Sequence, residues 1–398
     1  MARFLLVVPP FAGHVNPTIS VAGLLAQRGH EVAWTGVPGS VEALLPDGAV
    51  FLPATSVEVG AAVDDMGERR PDLRGAAAFK FLQEDVLLPL ADHMVGGVDA
   101  AVDAFEPDLL VVDQQALAGA VVARRRGLVW ATSATTSAEL VDPLAALPKV
   151  ADAMHQLRVD LQVRHGIAPA DAAAGDLRLS PHLVVAYTVE DLTGPLDGTP
   201  AGDVPVRFVG PATAGRVEQD DDFPWDRLGD DGTNVLVSLG TLNADAGERF
   251  FAVAAEAFRD QPWTGVFVAP PELVPDPPPN VVVRARIPQL AVLARMDAVV
   301  SHAGHNTVCE TLAQGLPLVV APIRDDQPVV ADQVARAGAA VRVRFNRVKA
   351  PELQAAIAEA LTDTDLRAAA ERISRSFAAA GGSAAAADAL EQLAATSP

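Results

Sequence analysis

The chain has 398 residues, of which 50% are hydrophobic, enough for two domains that each bury a core and too many for a disordered chain. Its formal net charge of −21 argues against nucleic acid and anionic membranes as partners; solubility is the plainer use of that acidity. The single cysteine, Cys309, excludes an intrachain disulfide and is expected to be a small core residue in a reducing compartment.

Phe4-Leu5-Leu6-Val7-Val8 predicts a buried strand. The run is too short for the core of a signal peptide, and no stretch is long enough to span a bilayer, so a cytoplasmic protein is expected. A loop with Gly13, His14 and Asn16 follows, and Pro17 predicts the start of a helix running to about Arg28. Glu31–Thr35 predicts the next strand. The loop between them is not G-x-G-x-x-G, so it gives little support to a dinucleotide site. Phe79, Phe81, Leu82, Val86, Leu87 and Leu90 mark an apolar helical surface, either core or the wall of a pocket for an apolar ligand. Pro107–Asp113 predicts a buried strand ending in a carboxylate, and Val129–Thr132 another, followed by the polar loop Ser133–Ser137. The stretch from Leu140 to about His165 is either a packing excursion or part of a binding pocket. Glycines and prolines crowd Asp191–Gly215, and Asp220-Asp221-Asp222 follows, which marks a domain linker.

The second half opens with the strand Asn234–Val237 and the turn Ser238-Leu239-Gly240-Thr241. A helix carrying Phe250, Phe251, Ala254 and Phe258 comes next. Gly265–Ala269 and Val281–Val283 predict strands, the latter leading into Arg286-Ile287-Pro288-Gln289. Ala298-Val299-Val300 predicts a strand that turns into a helix through Ser301-His302-Ala303-Gly304-His305-Asn306-Thr307-Val308-Cys309-Glu310. Gly304 allows a tight turn, and the helix N-terminus after it suits a phosphate, with His302 and His305 as further donors. A zinc reading of the two histidines lacks a third ligand at suitable spacing. Leu316–Val320, a turn with Asp326 and Gln327, a helix opened by Pro328, and Ala340–Val343 complete a strand–helix–strand series that makes a parallel sheet. Loops after its strands share one edge, where ligands bind. Pro351–Leu361 and Leu366–Phe377 predict helices, and Gly381-Gly382 breaks the pattern before a last alanine-rich helix.

Ser301–Val343 resembles the signature region of nucleotide-sugar glycosyltransferases of the GT-B fold, in particular the actinobacterial branch acting on macrolides, enediynes and related natural products. H-x-G-x-N-T-x-x-E, G-x-P and D-Q match in order and spacing. Ser238–Thr241 and Gly13–Pro17 extend the resemblance over nearly the whole chain. It implies an α/β protein of two Rossmann-like domains facing across a cleft. Residues 1–210 would hold an acceptor, 211–232 link, 233–378 hold the nucleotide sugar, and 379–398 form a helix crossing back to the first domain.

The chemistry to be served is sugar transfer, which needs a base for the acceptor hydroxyl and stabilisation of the departing diphosphate. A loop histidine is more often structural, but the resemblance makes His14 the base, with Asp113 holding one ring nitrogen protonated. It implies diphosphate contacts from Ser238, Gly240, Thr241, His302, Gly304, Asn306 and Thr307, ribose contacts from Glu310, and donor-sugar contacts from Asp326 and Gln327. The usual W-x-P-Q motif, whose Trp stacks on the base, is replaced here by Arg286-Ile287-Pro288-Gln289. The Arg286 guanidinium plane can stack in its place, and the Ile287 backbone would read the base edge. Family members use no metal and no cofactor beyond the nucleotide sugar. The expected partners are thus a thymidine or uridine diphosphate sugar and an apolar small-molecule acceptor, bound by a monomer or homodimer. The alternatives are a nucleotide-sugar-binding partner or activator without transferase activity, and an epimerase or hydrolase on the same fold.

Overall fold

The computed structural model describes residues 1–56, 58–59, 73, 76–141, 144, 147–216, 223–229, 232–240 and 247–396. Thr241 and the Asp220–Asp222 run lie outside them. The chain divides into two compact units, Met1–Arg216 with Ala380–Pro398, and Val217–Ala379.

The first unit is built on a seven-stranded parallel sheet. Its elements are β1 (Arg3–Val7), α1 (Ala12–Gln27), β2 (Glu31–Gly36), β3 (Val50–Pro53), α2 (Leu88–Phe105), β4 (Leu109–Asp113), α3 (Leu117–Arg126), β5 (Trp130–Ala134), α4 (Pro148–Arg164), β6 (Val184–Ala186) and β7 (Val206–Phe208). The strand order is β3-β2-β1-β4-β5-β6-β7, so successive strands run outward from β1 on one side and from β4 on the other. β1 and β4 are apolar on both faces and buried throughout apart from Arg3, as strands covered by helices on two sides must be. Val7 pairs with Thr35 on one side and Val112 on the other, which brings the carboxyl ends of β1 and β4 level.

Helix α1 begins five residues before Pro17. Phe11 is its N-cap, with His14 N and Val15 N both bonding to Phe11 O, and Pro17 sits inside the helix. A proline inside a helix donates no backbone bond, but the buried side of α1, with Val15, Val21 and Leu25, holds the segment in place. Before α2 the chain is already helical at Ala76–Phe81 and then passes through a π-helical stretch, Leu82–Leu87. Leu87 and Leu90 are core, whereas Phe79, Phe81, Leu82 and Val86 are half-buried.

The second unit repeats the plan with six parallel strands. Its elements are β8 (Thr233–Ser238), α5 (Glu248–Phe258), β9 (Trp263–Val268), β10 (Val281–Arg284), β11 (Ala298–Ser301), α6 (His305–Ala313), β12 (Leu318–Val320), α7 (Gln327–Arg336), β13 (Ala340–Arg342), α8 (Ala350–Thr362) and α9 (Thr364–Ala380). The order is β10-β9-β8-β11-β12-β13, reversing between β8 and β11. Phe250, Phe251, Phe258 and Phe267 fill one face of this sheet. The last helix, α10 (Gly382–Thr396), packs on α1 through Ala386, Ala387 and Leu390. Arg28 reaches Asp388 and Glu391 at 2.8 and 2.7 Å, and His30 Nε2 meets Glu391 at 2.8 Å. Among the described residues no helix is long and apolar enough to cross a membrane.

Candidate active site

Each sheet reverses its strand order once, and at such a point the loops leaving two adjacent strands diverge and open a crevice at the carboxyl edge. In the first unit that point lies between β1 and β4. His14 stands on the first turn of α1, the helix that follows β1, and Asp113 is the last residue of β4. His14 Nδ1 lies 2.9 Å from Asp113 Oδ1. The Asp113 side chain is inaccessible and His14 keeps 15% of its side-chain surface exposed. Phe11 sets its ring edge against the imidazole, with centroids 5.8 Å apart.

A buried carboxylate is costly unless its oxygens are bonded, and here both are. Oδ1 accepts from the Gln115 main-chain N–H at 2.8 Å as well as from His14. Oδ2 accepts from the Thr135 hydroxyl at 2.7 Å. Thr135 Oγ1 is also 2.7 Å from His14 Nδ1. An ionised carboxylate only accepts, so Nδ1 carries the proton and Nε2 the lone pair. Tyr187 lies behind this group. Burial pushes its phenol up to about 12; a hydrogen bond to Ser133 opposes that shift and the Asp113 charge adds to it.

The loop carrying Thr135 is tied to the loop after β4. Gln114 Nε2 donates to Thr136 O at 3.2 Å, and Gln115 Nε2 donates to Glu139 Oε1 at 2.8 Å. Glu139 is itself paired with buried Arg178, which also binds Asp176. Burial lowers the nearby Arg158 guanidinium to about 10, with repulsion from Arg178 adding to the effect.

In the second unit the reversal lies between β8 and β11, whose last residues, Ser238 and Ser301, are paired in register and buried. His302 follows Ser301. A Cβ on Gly240 would come within 2.7 Å of the His302 ring, and one on Gly304 within 2.4 Å, so the imidazole fits only because both neighbours are glycine. Gly240 also holds φ +73°, which favours glycine. Burial lowers His302 to about 4, against a smaller opposing effect of the Ser238 carbonyl, so the ring is neutral near pH 7. His302 Nδ1 is buried without a hydrogen-bond partner among the described residues. His302 is therefore a neutral dipole rather than a cation.

Helix α6 has Gly304 as N-cap, in extended conformation with φ −63° and ψ 134°. Gly304 has no side chain to cap the first turn, an arrangement suited to an anion. Asn306 and Thr307 thus lie within the first turn instead of capping it, Asn306 half-buried and Thr307 buried. His305, expected beside the turn as a donor, is buried with Nε2 3.5 Å from Cys309 Sγ. Glu310 is buried, and Gln289 Nε2 donates to its Oε2. That bond fastens the Arg286–Gln289 segment to α6; Arg286 is exposed and Ile287 packs against the cluster of Leu293 and Val299. Asp326 is the half-buried N-cap of α7. Buried Gln327 accepts at Oε1 from the main-chain N–H groups of Ile323 and Arg324, at 2.9 and 3.1 Å. Its amide orientation is thereby set. Among the described residues no group of three or more His, Cys, Asp and Glu could hold a metal ion.

The structure thus joins His14 to Asp113, and gathers Ser238, Gly240, His302 and Gly304 where β8 and β11 end in the other unit. Glu310, Asp326 and Gln327 are on α6 and at the start of α7. Thr135 and Gln115 belong with the dyad but have no motif of their own. The available signal was the polar loop after β5, since Asp113 pairs with Ser133 and Thr135 follows two residues later.

The sequence profile of the family described as UDP-glucoronosyl and UDP-glucosyl transferase matches residues 224–377. The chain is 30% identical to 4'-demethylrebeccamycin synthase of Lentzea aerocolonigenes, over 95% of this chain and 96% of that protein. It is 28% identical to demethyllactenocin mycarosyltransferase of Streptomyces fradiae, over 99% of this chain and 87% of that one. Among solved structures, the glycotransferase of kitacinnamycin superimposes with a TM-score of 0.75 at 27% identity, covering 98% of this chain and 99% of its own. With its two parallel-sheet α/β domains, this chain belongs to the UDP-glucoronosyl and UDP-glucosyl transferase family and is a GT-B glycosyltransferase of the natural-product biosynthesis type.

Proposed function

We propose that the enzyme is an inverting, metal-independent glycosyltransferase that moves a sugar, deoxygenated or not, from a thymidine or uridine diphosphate donor to a hydroxyl of an apolar natural-product acceptor in antibiotic or other secondary-metabolite biosynthesis. The observation carrying this reading is the His14–Asp113 bond at the strand reversal of the first unit. With the proton on Nδ1, Nε2 takes the proton of the acceptor hydroxyl. The acceptor oxygen attacks the anomeric carbon from the face opposite the diphosphate, the carbon–phosphate-oxygen bond breaks, and configuration inverts. Asp113 stabilises the imidazolium so formed.

In the second unit Ser238, Gly240, Thr241, His302, Gly304, Asn306 and Thr307 hold the diphosphate. The α6 terminus supplies the dipole that a metal would otherwise provide. Glu310, oriented by Gln289, takes the ribose hydroxyls. Gln327, whose oxygen is occupied by the main chain, presents its amide N–H to the sugar beside Asp326. Arg286 stacks on the base, and the Ile287 backbone reads its edge. The names of the two relatives support a natural-product acceptor. A non-catalytic nucleotide-sugar partner would not be expected to keep the dyad.

The test is incubation with TDP- and UDP-sugars and a panel of apolar acceptors, with and without EDTA, and assignment of the product's anomeric configuration. Inverted product that is indifferent to EDTA is expected. Retained configuration, loss of activity with EDTA, or donor binding without transfer to any acceptor would each defeat the proposal.

A further inference from the structure

Beside the His14–Asp113 pair the geometry contains a third residue. Thr135 Oγ1 lies 2.7 Å from His14 Nδ1 and 2.7 Å from Asp113 Oδ2, while Nδ1 and Asp113 Oδ1 are 2.9 Å apart. The protons can be assigned in only one consistent way. The carboxylate cannot donate, so the threonine O–H points to Oδ2 and its lone pair faces Nδ1. Nδ1–H then divides between Oδ1 and the threonine oxygen. The hydroxyl therefore closes a ring through imidazole and carboxylate and is satisfied on both sides. Thr135 is 3% exposed, and it directly follows β5, which is next to β4 in the sheet. The bonds from Gln114 to Thr136 and from Gln115 to Glu139 hold its loop against the β4 loop.

We propose that Thr135 is a positioning residue that fixes the plane and tautomer of the His14 imidazole and moderates the charge that Asp113 directs at it. This rests on His14 being the base. Two consequences follow from the bonding. Without the hydroxyl, the ring loses one of the two acceptors that define its plane, and turnover falls. Without its donor, Asp113 Oδ2 is left with uncompensated charge beside the ring, which favours the imidazolium and lowers the fraction of neutral base at a given pH. The acidic limb of the kcat/KM profile then moves to higher pH. Among the described residues, two other ionisable groups close to the dyad, Tyr187 and Glu139, do not produce that change. Tyr187 is held up to about 12, and Glu139 is bonded to Gln115 and Arg178.

The experiment compares Thr135→Val, which keeps the shape of the buried side chain, with Thr135→Ser, which keeps the hydroxyl, and with His14→Ala. Thr135→Ala serves if the valine variant does not fold, as judged by Tm and by nucleoside diphosphate affinity. The expected result is a kcat lower by about ten- to a hundredfold in Thr135→Val, the scale of one hydrogen bond to a charged group. Its acidic limb moves upward, and Thr135→Ser is restored. Unchanged turnover and pH profile in Thr135→Val, with His14→Ala inactive, overturn the role of Thr135 and leave the base in place. Loss of turnover with an unmoved limb and no rescue by serine shows a merely structural threonine and overturns it too. An active His14→Ala variant removes the reading on which the proposal stands.

Discussion

The two halves share a topology and use its reversal point in opposite ways. In the first unit the point between β1 and β4 holds a carboxylate, an imidazole and a hydroxyl in one hydrogen-bonded ring. In the second, the point between β8 and β11 holds an imidazole between two glycines, its Nδ1 without a protein partner among the described residues. Both histidines lie beyond the carboxyl end of a strand, but one is coupled to a charge and the other is kept neutral by burial. Position in the fold makes a place for a functional histidine. What the histidine can do there is set by the side chains delivered from neighbouring strands.

That contrast is open to direct attack. Its largest expected consequence is in the first half: His14→Ala should lower kcat by roughly 10²–10⁴ while leaving nucleoside diphosphate affinity unchanged, read by steady-state kinetics and calorimetry. An equal loss of donor affinity would merge the two sites that the comparison separates. In the second half, His302 should link stability to pH. Its folded-state pKa, about 4, is below the ordinary 6.5, so the unfolded chain binds the extra proton. The stability from its neutral burial is complete above pH 6.5 and is lost as pH falls towards 4, by about 3 kcal/mol in all. Denaturant midpoints across pH 4–7 should show that slope, and His302→Asn should flatten it; an unaltered slope would show that other groups are responsible. Next in size is Gly240→Ala, which forces a Cβ into the His302 ring at a positive φ. A cost of about 1–3 kcal/mol is expected, in donor affinity more than in kcat. A fall in kcat with donor binding intact would assign Gly240 to the wrong half of the comparison. The smallest effect is expected at the exposed pair between Arg28 and Asp388, where Asp388→Ala should change stability by about 0–1 kcal/mol and leave turnover unaltered.

Much of this arrangement was legible before any coordinates. Buried strands such as Phe4–Val8 and Leu109–Asp113 are continuous apolar runs, and alternation with helices of the right length leaves a parallel sheet as the only economical solution. Where the reading went astray, a distant contact had outweighed a local preference. Pro17 reads as a helix start, yet α1 begins at Ala12 because packing of Val15, Val21 and Leu25 outweighs one missing main-chain bond. Glu310 has no local signal for burial, and its place is set by Gln289, twenty-one residues earlier in the chain. His305 looks like a twin of His302 but turns along its helix to Cys309.

By itself the sequence determined the class of the fold, the strand ends at which ligands bind, and the residue types available there, because hydrophobic period and turn chemistry are properties of neighbours along the chain. The meeting of His14 with Asp113, the insertion of Thr135 between them and the neutrality of His302 were decided only by tertiary structure. They depend on distances between residues 22 to 121 positions apart, and on burial, which no short segment possesses alone.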